Sequence, residues 1–206
     1  QRDRSEVLYQ IASQLVASLD MDRVLSRALL LLQRAVKASR SSVVLLDNNT
    51  GQLVYRAAIG HTEPIRPGGQ RAPFSRERGV VGQALQDRKP LVISDAQAAT
   101  AEDLGLAAEI RSAMAVPITG GAGEALGVLL FESPLVDVFD ETQRRLVEAA
   151  AVQLGNALNN AELYDMIREQ AERMGTMLRT QQIEVAKNQA ILEGIADGVM
   201  FADAGG

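Results

Sequence analysis

His61 is the only histidine in a chain of 206 residues that contains no cysteine. A histidine could ligate a haem or an iron. A non-haem metal would need several His, Asp or Glu side chains converging on one point, and no such spacing occurs. His61 follows a strand, in a loop, and reads as a solvated loop residue. It lacks the surroundings of a phospho-accepting histidine, and the chain has no glycine boxes of a kinase ATP site. Without cysteine there are no thiolate nucleophiles, disulfides, cysteine zinc sites or thioether links to a bilin. Gly120-Gly121-Ala122-Gly123 could suggest a phosphate loop. No Lys-Ser or Lys-Thr follows, and the cluster lies between two strands, so it reads as a hairpin turn. No nucleophile, base and metal constellation is present, so no catalytic residue, cofactor or metal is expected in this segment.

The elements that would position these residues begin with two helices. Leu8, Ile11, Ala12, Leu15 and Leu19 share one helical face. Asp20 then offers an N-cap for a second helix carrying Met21, Val24, Leu25, Ala28, Leu32, Ala35 and Val36, with Leu29, Leu30 and Leu31 widening its stripe to more than one side. Residues 42–47 and 52–59 read as strands joined by a turn at Asn48-Asn49-Thr50-Gly51. Gly60 to Pro73 reads as a long loop, and Gly79 to Leu85 as a short helix capped by Ser75 and ended at Lys89-Pro90. Residues 91–95 form a strand, and Thr100 to Ile110 a short helix. Residues 112–118 and 125–132 form two more strands. The order predicts an α+β fold: a mainly antiparallel sheet of about six strands, flanked by helices.

Asp140-Glu141-Thr142-Gln143 opens a final helix with a capping-box variant. No proline occurs after Pro134, and the helical pattern persists to about Ile195, about 80 Å at 1.5 Å per residue. One register runs through Val147, Ala151, Leu154, Leu158 and Ala161. A second runs through Tyr164, Ile167, Ala171, Met174, Leu178, Gln181, Val185, Asn188, Leu192 and Ile195, in alternating steps of three and four. That alternation is the pattern of a left-handed coiled coil. The first register is expected to pack on its own domain, the second on a second copy of the chain. Gln181, Asn188, Ala171 and Gly175 make the second seam weak, as suits a helix that changes its packing.

Five segments in this order resemble the GAF domain: Ser42-Val43-Val44-Leu45-Leu46-Asp47, Gly79-Val80-Val81-Gly82-Gln83-Ala84, Lys89-Pro90-Leu91-Val92-Ile93-Ser94-Asp95, Arg111-Ser112-Ala113-Met114-Ala115-Val116-Pro117-Ile118 and Leu126-Gly127-Val128-Leu129-Leu130-Phe131. Ile191 to Asp203 resembles the start of a PAS domain. The resemblance divides the chain into a GAF-like sensory domain (1–160), a coiled-coil signalling helix (161–190) and a truncated PAS start (191–206). The opening at Gln1-Arg2-Asp3 and the stop at Gly205-Gly206, after the beginning of an expected strand, suggest a piece of a longer protein. By resemblance, a ligand pocket would be lined by Phe74, Val80, Val81, Leu91, Ile93, Asp95, Arg111, Ser112 and Met114. Asp95 and Arg111 would either orient a polar ligand or, as we expect, pair with each other. Phe139-Asp140-Glu141 is similar to the end of the cyclic-nucleotide GAF signature, but its spacing differs and the Asn-Lys pair is missing. Free methionine sulfoxide reduction, known in some GAF proteins, needs cysteines.

The resemblance implies the sensory and relay module of a two-component sensor histidine kinase, with PAS and kinase domains as partners in the parent chain and a homodimer formed through the helix. The alternatives are a small-molecule-binding regulator of a diguanylate cyclase or other output, and a purely structural dimerisation spacer. A net charge of -5 argues against nucleic acid or an anionic membrane as partner. No apolar run spans a bilayer in this segment, and the expected location is the cytoplasm.

Overall fold

The computed structural model describes residues 21–61, 70–72, 74–96 and 103–203. The expected first helix (8–19) and the Asp20 and Thr100 caps lie outside them. Helix α1 (Met21–Val36) buries Val24, Leu25, Ala28, Leu29, Leu32 and Val36, one i, i+4 stripe. Leu30 lies off that stripe at 37% exposure, and Leu31 packs partly buried beside the core.

Strands β1 (Arg40–Leu46), β2 (Leu53–Ile59), β3 (Gln70–Arg71), β4 (Leu91–Ile93), β5 (Ser112–Thr119) and β6 (Ala125–Ser133) form one sheet in the order β3-β2-β1-β6-β5-β4. Every pairing is antiparallel. β3 falls within the expected long loop. With only two residues it has no alternation to reveal it, and it pairs at Val54 and Tyr55 on the sheet edge. β2 carries a bulge: Val44 pairs with Tyr55 and Val43 with Ala57, so Arg56 is extra. Arg56 instead reaches α1, 2.8 Å from Asp22.

Strand alternation sorts the side chains into two layers. On one face Val43, Leu45, Met114, Val116, Ile118, Leu129 and Phe131 pack with α1 and the long C-terminal helix. On the other Val44, Tyr55, Ala113, Ala115, Val128 and Leu130 pack under helix α2 (Gly79–Asp87) with Val80, Val81, Ala84 and Leu85. Ser75 does not cap α2. Arg78 holds the N-cap position without a side-chain bond, and Ser75 Oγ, too far upstream, accepts from the Glu77 amide at 3.1 Å. The helix expected up to Ile110 is turns over 103–110, because Gly105 takes φ +69° and breaks the right-handed run. Leu106 and Ile110 are buried nonetheless.

Helix α3 runs from Glu141 to Asp203. Its start is a reciprocal capping box: Gln143 N donates to Asp140 Oδ1 at 2.7 Å, and Asp140 N donates to Gln143 Oε1 at 2.8 Å. Gln143 Nε2 also donates to the Val36 carbonyl at 3.1 Å, fixing α3 to the end of α1. Val147, Ala150, Ala151 and Leu154 are buried, and Leu158 packs beside them. The first compact unit ends at Ala161, and residues 162–206 form a second. In that second unit α3 continues to Asp203, through the stretch from Ile191 that was expected to lead into a strand before Gly205-Gly206. One glycine, Gly198, costs a helix only about 1 kcal/mol, and a lone strand would have no ladder to join.

Candidate functional site

The sheet face beneath α2 carries a polar cluster at one end. Antiparallel register places Arg40 of β1 opposite Glu132 of β6, Glu132 opposite Ala113, and Ser42 opposite both Leu130 and Ala58. Residues Arg40, Ser42 and Glu132 share the parity of Val44, Val128 and Leu130, so they face α2. Glu132 is 4% exposed. Burial pushes its carboxyl up to about 7, Arg40 draws it back, and Glu109 adds to the rise. The Arg40 guanidinium is itself engaged by the Glu109 carboxylate. Tyr55 is pushed up to about 12, first by burial and then by the charge of Glu132.

Gly60 brings His61 to this cluster. At φ +79° a Cβ there would stand 2.1 Å from the Ser39 carbonyl oxygen, so the turn requires glycine. The His61 ring lies edge-on to Tyr55, centroids 5.9 Å apart, and Tyr55 lies edge-on to Phe74 at 5.8 Å. Burial holds the His61 imidazole below its usual pKa, the Arg40 charge adds to this, and a backbone hydrogen bond at Ser41 opposes it. Among the described residues the buried Nε2 of His61 and Oγ of Ser42 have no hydrogen-bond partner. His61 is therefore not the solvated residue the sequence suggests.

The expected pocket residues divide between the two faces. Val80 and Val81 are buried in α2, and Phe74, Leu91 and Ile93 pack partly buried on the same layer. Ser112 and Met114 lie on the opposite face. Alternation along β5 turns Ala113 and Ala115 toward α2 and therefore sends Ser112 and Met114 to the α1 side. There Ser112 Oγ donates to the Leu135 carbonyl at 2.7 Å, and Met114 is wholly buried. Arg111 and Asp95 pair with each other: Nε and Nη2 both donate to Asp95 Oδ1, at 2.9 and 2.7 Å. Both side chains remain nearly half exposed.

Arg40, Ser42, Tyr55 and Glu132 were not singled out from the sequence. The signal was the period-two series Val128, Leu130, Glu132, which sets a carboxylate on an otherwise apolar face. Among the described residues no group of three or more His, Asp or Glu could hold a metal ion. No described helix is long and apolar enough to cross a membrane. In the second unit Tyr164, Ile167, Ala171, Met174, Leu178, Gln181 and Val185 are all exposed, and the side chains of Asn188 and Leu192 lie outside the described set.

Comparison with known proteins agrees with this architecture. The family model described as the GAF domain matches residues 18–159. A probable 3',5'-cyclic phosphodiesterase, pde-5, from Caenorhabditis elegans is 26% identical over 188 residues, which cover 84% of this chain. They cover 25% of the phosphodiesterase, so the chain spans about a quarter of that relative's length. The solved free methionine-R-sulfoxide reductase from Neisseria meningitidis superposes with TM-score 0.65 at 26% identity, covering 78% of this chain and 91% of that one. The GAF domain of an Acinetobacter phosphoenolpyruvate-protein phosphotransferase superposes with TM-score 0.67 at 20% identity, over 77% and 93% of the two chains, a likeness of fold. With the family match covering well over half its length, this chain belongs to the GAF domain family.

Proposed function

We propose that this GAF domain is the input and relay module of a larger cytoplasmic signalling protein of the sensor histidine kinase type, working as a homodimer. The observation that carries the reading is the double character of α3. Its first part is anchored in the core of the sensory domain through Val147, Ala151 and Leu154. Its later part carries the exposed apolar residues Tyr164, Ile167, Met174, Leu178 and Val185, which with Ala171 and Gln181 make a stripe of alternating steps of three and four. A stripe of that spacing is satisfied by the same stripe of a second copy. Gln181, exposed on the stripe, keeps the seam weak enough to repack when the domain changes state. The output would lie in PAS and kinase domains joined to the helix.

The chain has no cysteine, so one introduced thiol reports cleanly. Leu178→Cys and Val185→Cys should cross-link two copies under mild oxidation, and Thr176→Cys, off the stripe, should not. Equal cross-linking at all three positions, or a monomer at micromolar concentration, would sink the dimer. Seam positions whose cross-linking never varies with added small molecules would favour a static spacer over a relay.

A further inference from the structure

We infer that the polar cluster beneath α2 binds a small primary amine, its ammonium group held by the Glu132 carboxylate and His61 Nε2 and its apolar body lying against Tyr55 and Phe74. This names a ligand class for the sensory reading and rests on it.

Charge balance is the first argument. Among the described residues, Glu132 and Glu109 are two acids served by one guanidinium, that of Arg40, and Glu109 holds it in an ion pair. With both acids ionised the cluster lacks one positive charge, at a carboxylate only 4% exposed. A buried carboxylate without its own cation is costly, and a cationic ligand removes that cost.

Hydrogen-bond accounting is the second. Ser42 Oγ and His61 Nε2 are buried with no partner among the described residues. The backbone hydrogen bond at Ser41 favours the protonated ring, and Nε2 makes no bond, so the imidazole donates through Nδ1. In the neutral ring Nε2 is then an acceptor. An ammonium group has three N–H donors, for Glu132, His61 and Ser42. An anion would meet two carboxylates, and an alcohol would leave the missing charge unsupplied. The edge-on Tyr55 and Phe74 rings suit an apolar body and a nearby cation.

The test titrates the 206-residue chain with benzylamine, benzyl alcohol and benzoate, following the backbone amides of Ser42, Ala113 and Leu130 by NMR. Benzylamine should shift them saturably, with a dissociation constant on the order of millimolar for so small a probe. Benzyl alcohol and benzoate should bind at least about tenfold more weakly, and Glu132→Gln should weaken benzylamine about tenfold. If that variant fails to fold, the wild-type pH series decides. Benzylamine should bind more tightly from pH 6 to pH 8, releasing a proton near pH 7 as Glu132 is fixed in its ionised form. No saturable shift, equal binding of the three probes, an unaffected Glu132→Gln or a flat pH series would overturn the assignment. The α3 cross-linking would then still decide the relay reading by itself.

Discussion

A Cβ on Gly155 of α3 would stand 2.0 Å from the carbonyl oxygen of Thr119, the last residue of β5. The β5–β6 turn thus rests on the helix backbone where nothing but hydrogen fits. Asn159, one turn on, lies beneath Gly120 and Gly121 of the same turn. The sheet therefore touches α3 just before the first compact unit ends.

Gly155→Ala should destabilise the domain by roughly 1–3 kcal/mol, because the clash is with backbone and exceeds the helix propensity gained. Gly175→Ala meets nothing within 4 Å and should be neutral or stabilising by up to about 1 kcal/mol. Thermal unfolding of both variants checks the contrast. Equal effects would remove the special role of the Thr119 contact.

Glu132 makes stability depend on pH. An unfolded glutamate ionises near 4.5, and the folded one near 7. Between those values the native chain holds a proton the unfolded chain has lost, so stability falls as pH rises through the window and levels off above it. The loss is on the order of 3 kcal/mol. His61 acts oppositely: its lowered pKa gives stability that is present above its usual 6.5 and lost as pH falls. Arg40, Glu109 and Tyr55 face the same cluster; the Glu109 carboxyl is held below its ordinary value, with the Arg40 guanidinium among the causes, and burial pushes Tyr55 up to about 12. Urea unfolding at pH 5 to 8 should show Glu132→Gln more stable than wild type at pH 8 and similar at pH 5. A wild-type-like slope in that variant would contradict the assignment.

Gln143→Ala removes one half of the capping box and the bond to Val36. It should cost about 1–2 kcal/mol and speed amide exchange in the first turn of α3. Gln143→Glu keeps the acceptor for Asp140 N but loses the donor to the Val36 carbonyl, and should fall between.

Asp95→Ala, Arg111→Ala and the double variant test the exposed pair. Their coupling should not exceed about 1 kcal/mol, because both side chains are nearly half exposed. A larger coupling would mean the pair bears structural load.

The sheet and the α3 cap were legible because each rests on local pattern. The Asp140–Gln143 box is four residues long, and the strands carry period-two apolar series. The faces of individual strand residues were harder. Ser112 and Met114 read as pocket residues until the pairing of Ala113 with Glu132 fixed their parity. Glu132 itself looked like a strand end. Its burial follows from a strand pairing and a helix far away in sequence, which no local window contains. His61 misled for a similar reason, since Arg40 and the Ser41 backbone, which act on its ring, belong to β1. The helix expected before Ile110 gave way to one left-handed glycine.

The bulge at Arg56 leaves β2 one residue longer than the sheet requires. Because Tyr55 already pairs with Val44 and Ala57 with Val43, excising Arg56 would leave those partners opposed and their side chains on the same faces. A one-residue deletion in mid-strand usually inverts everything downstream. Here it would sacrifice only the tie to Asp22 in α1, so the domain has a built-in tolerance for length change at the strand that leads to His61.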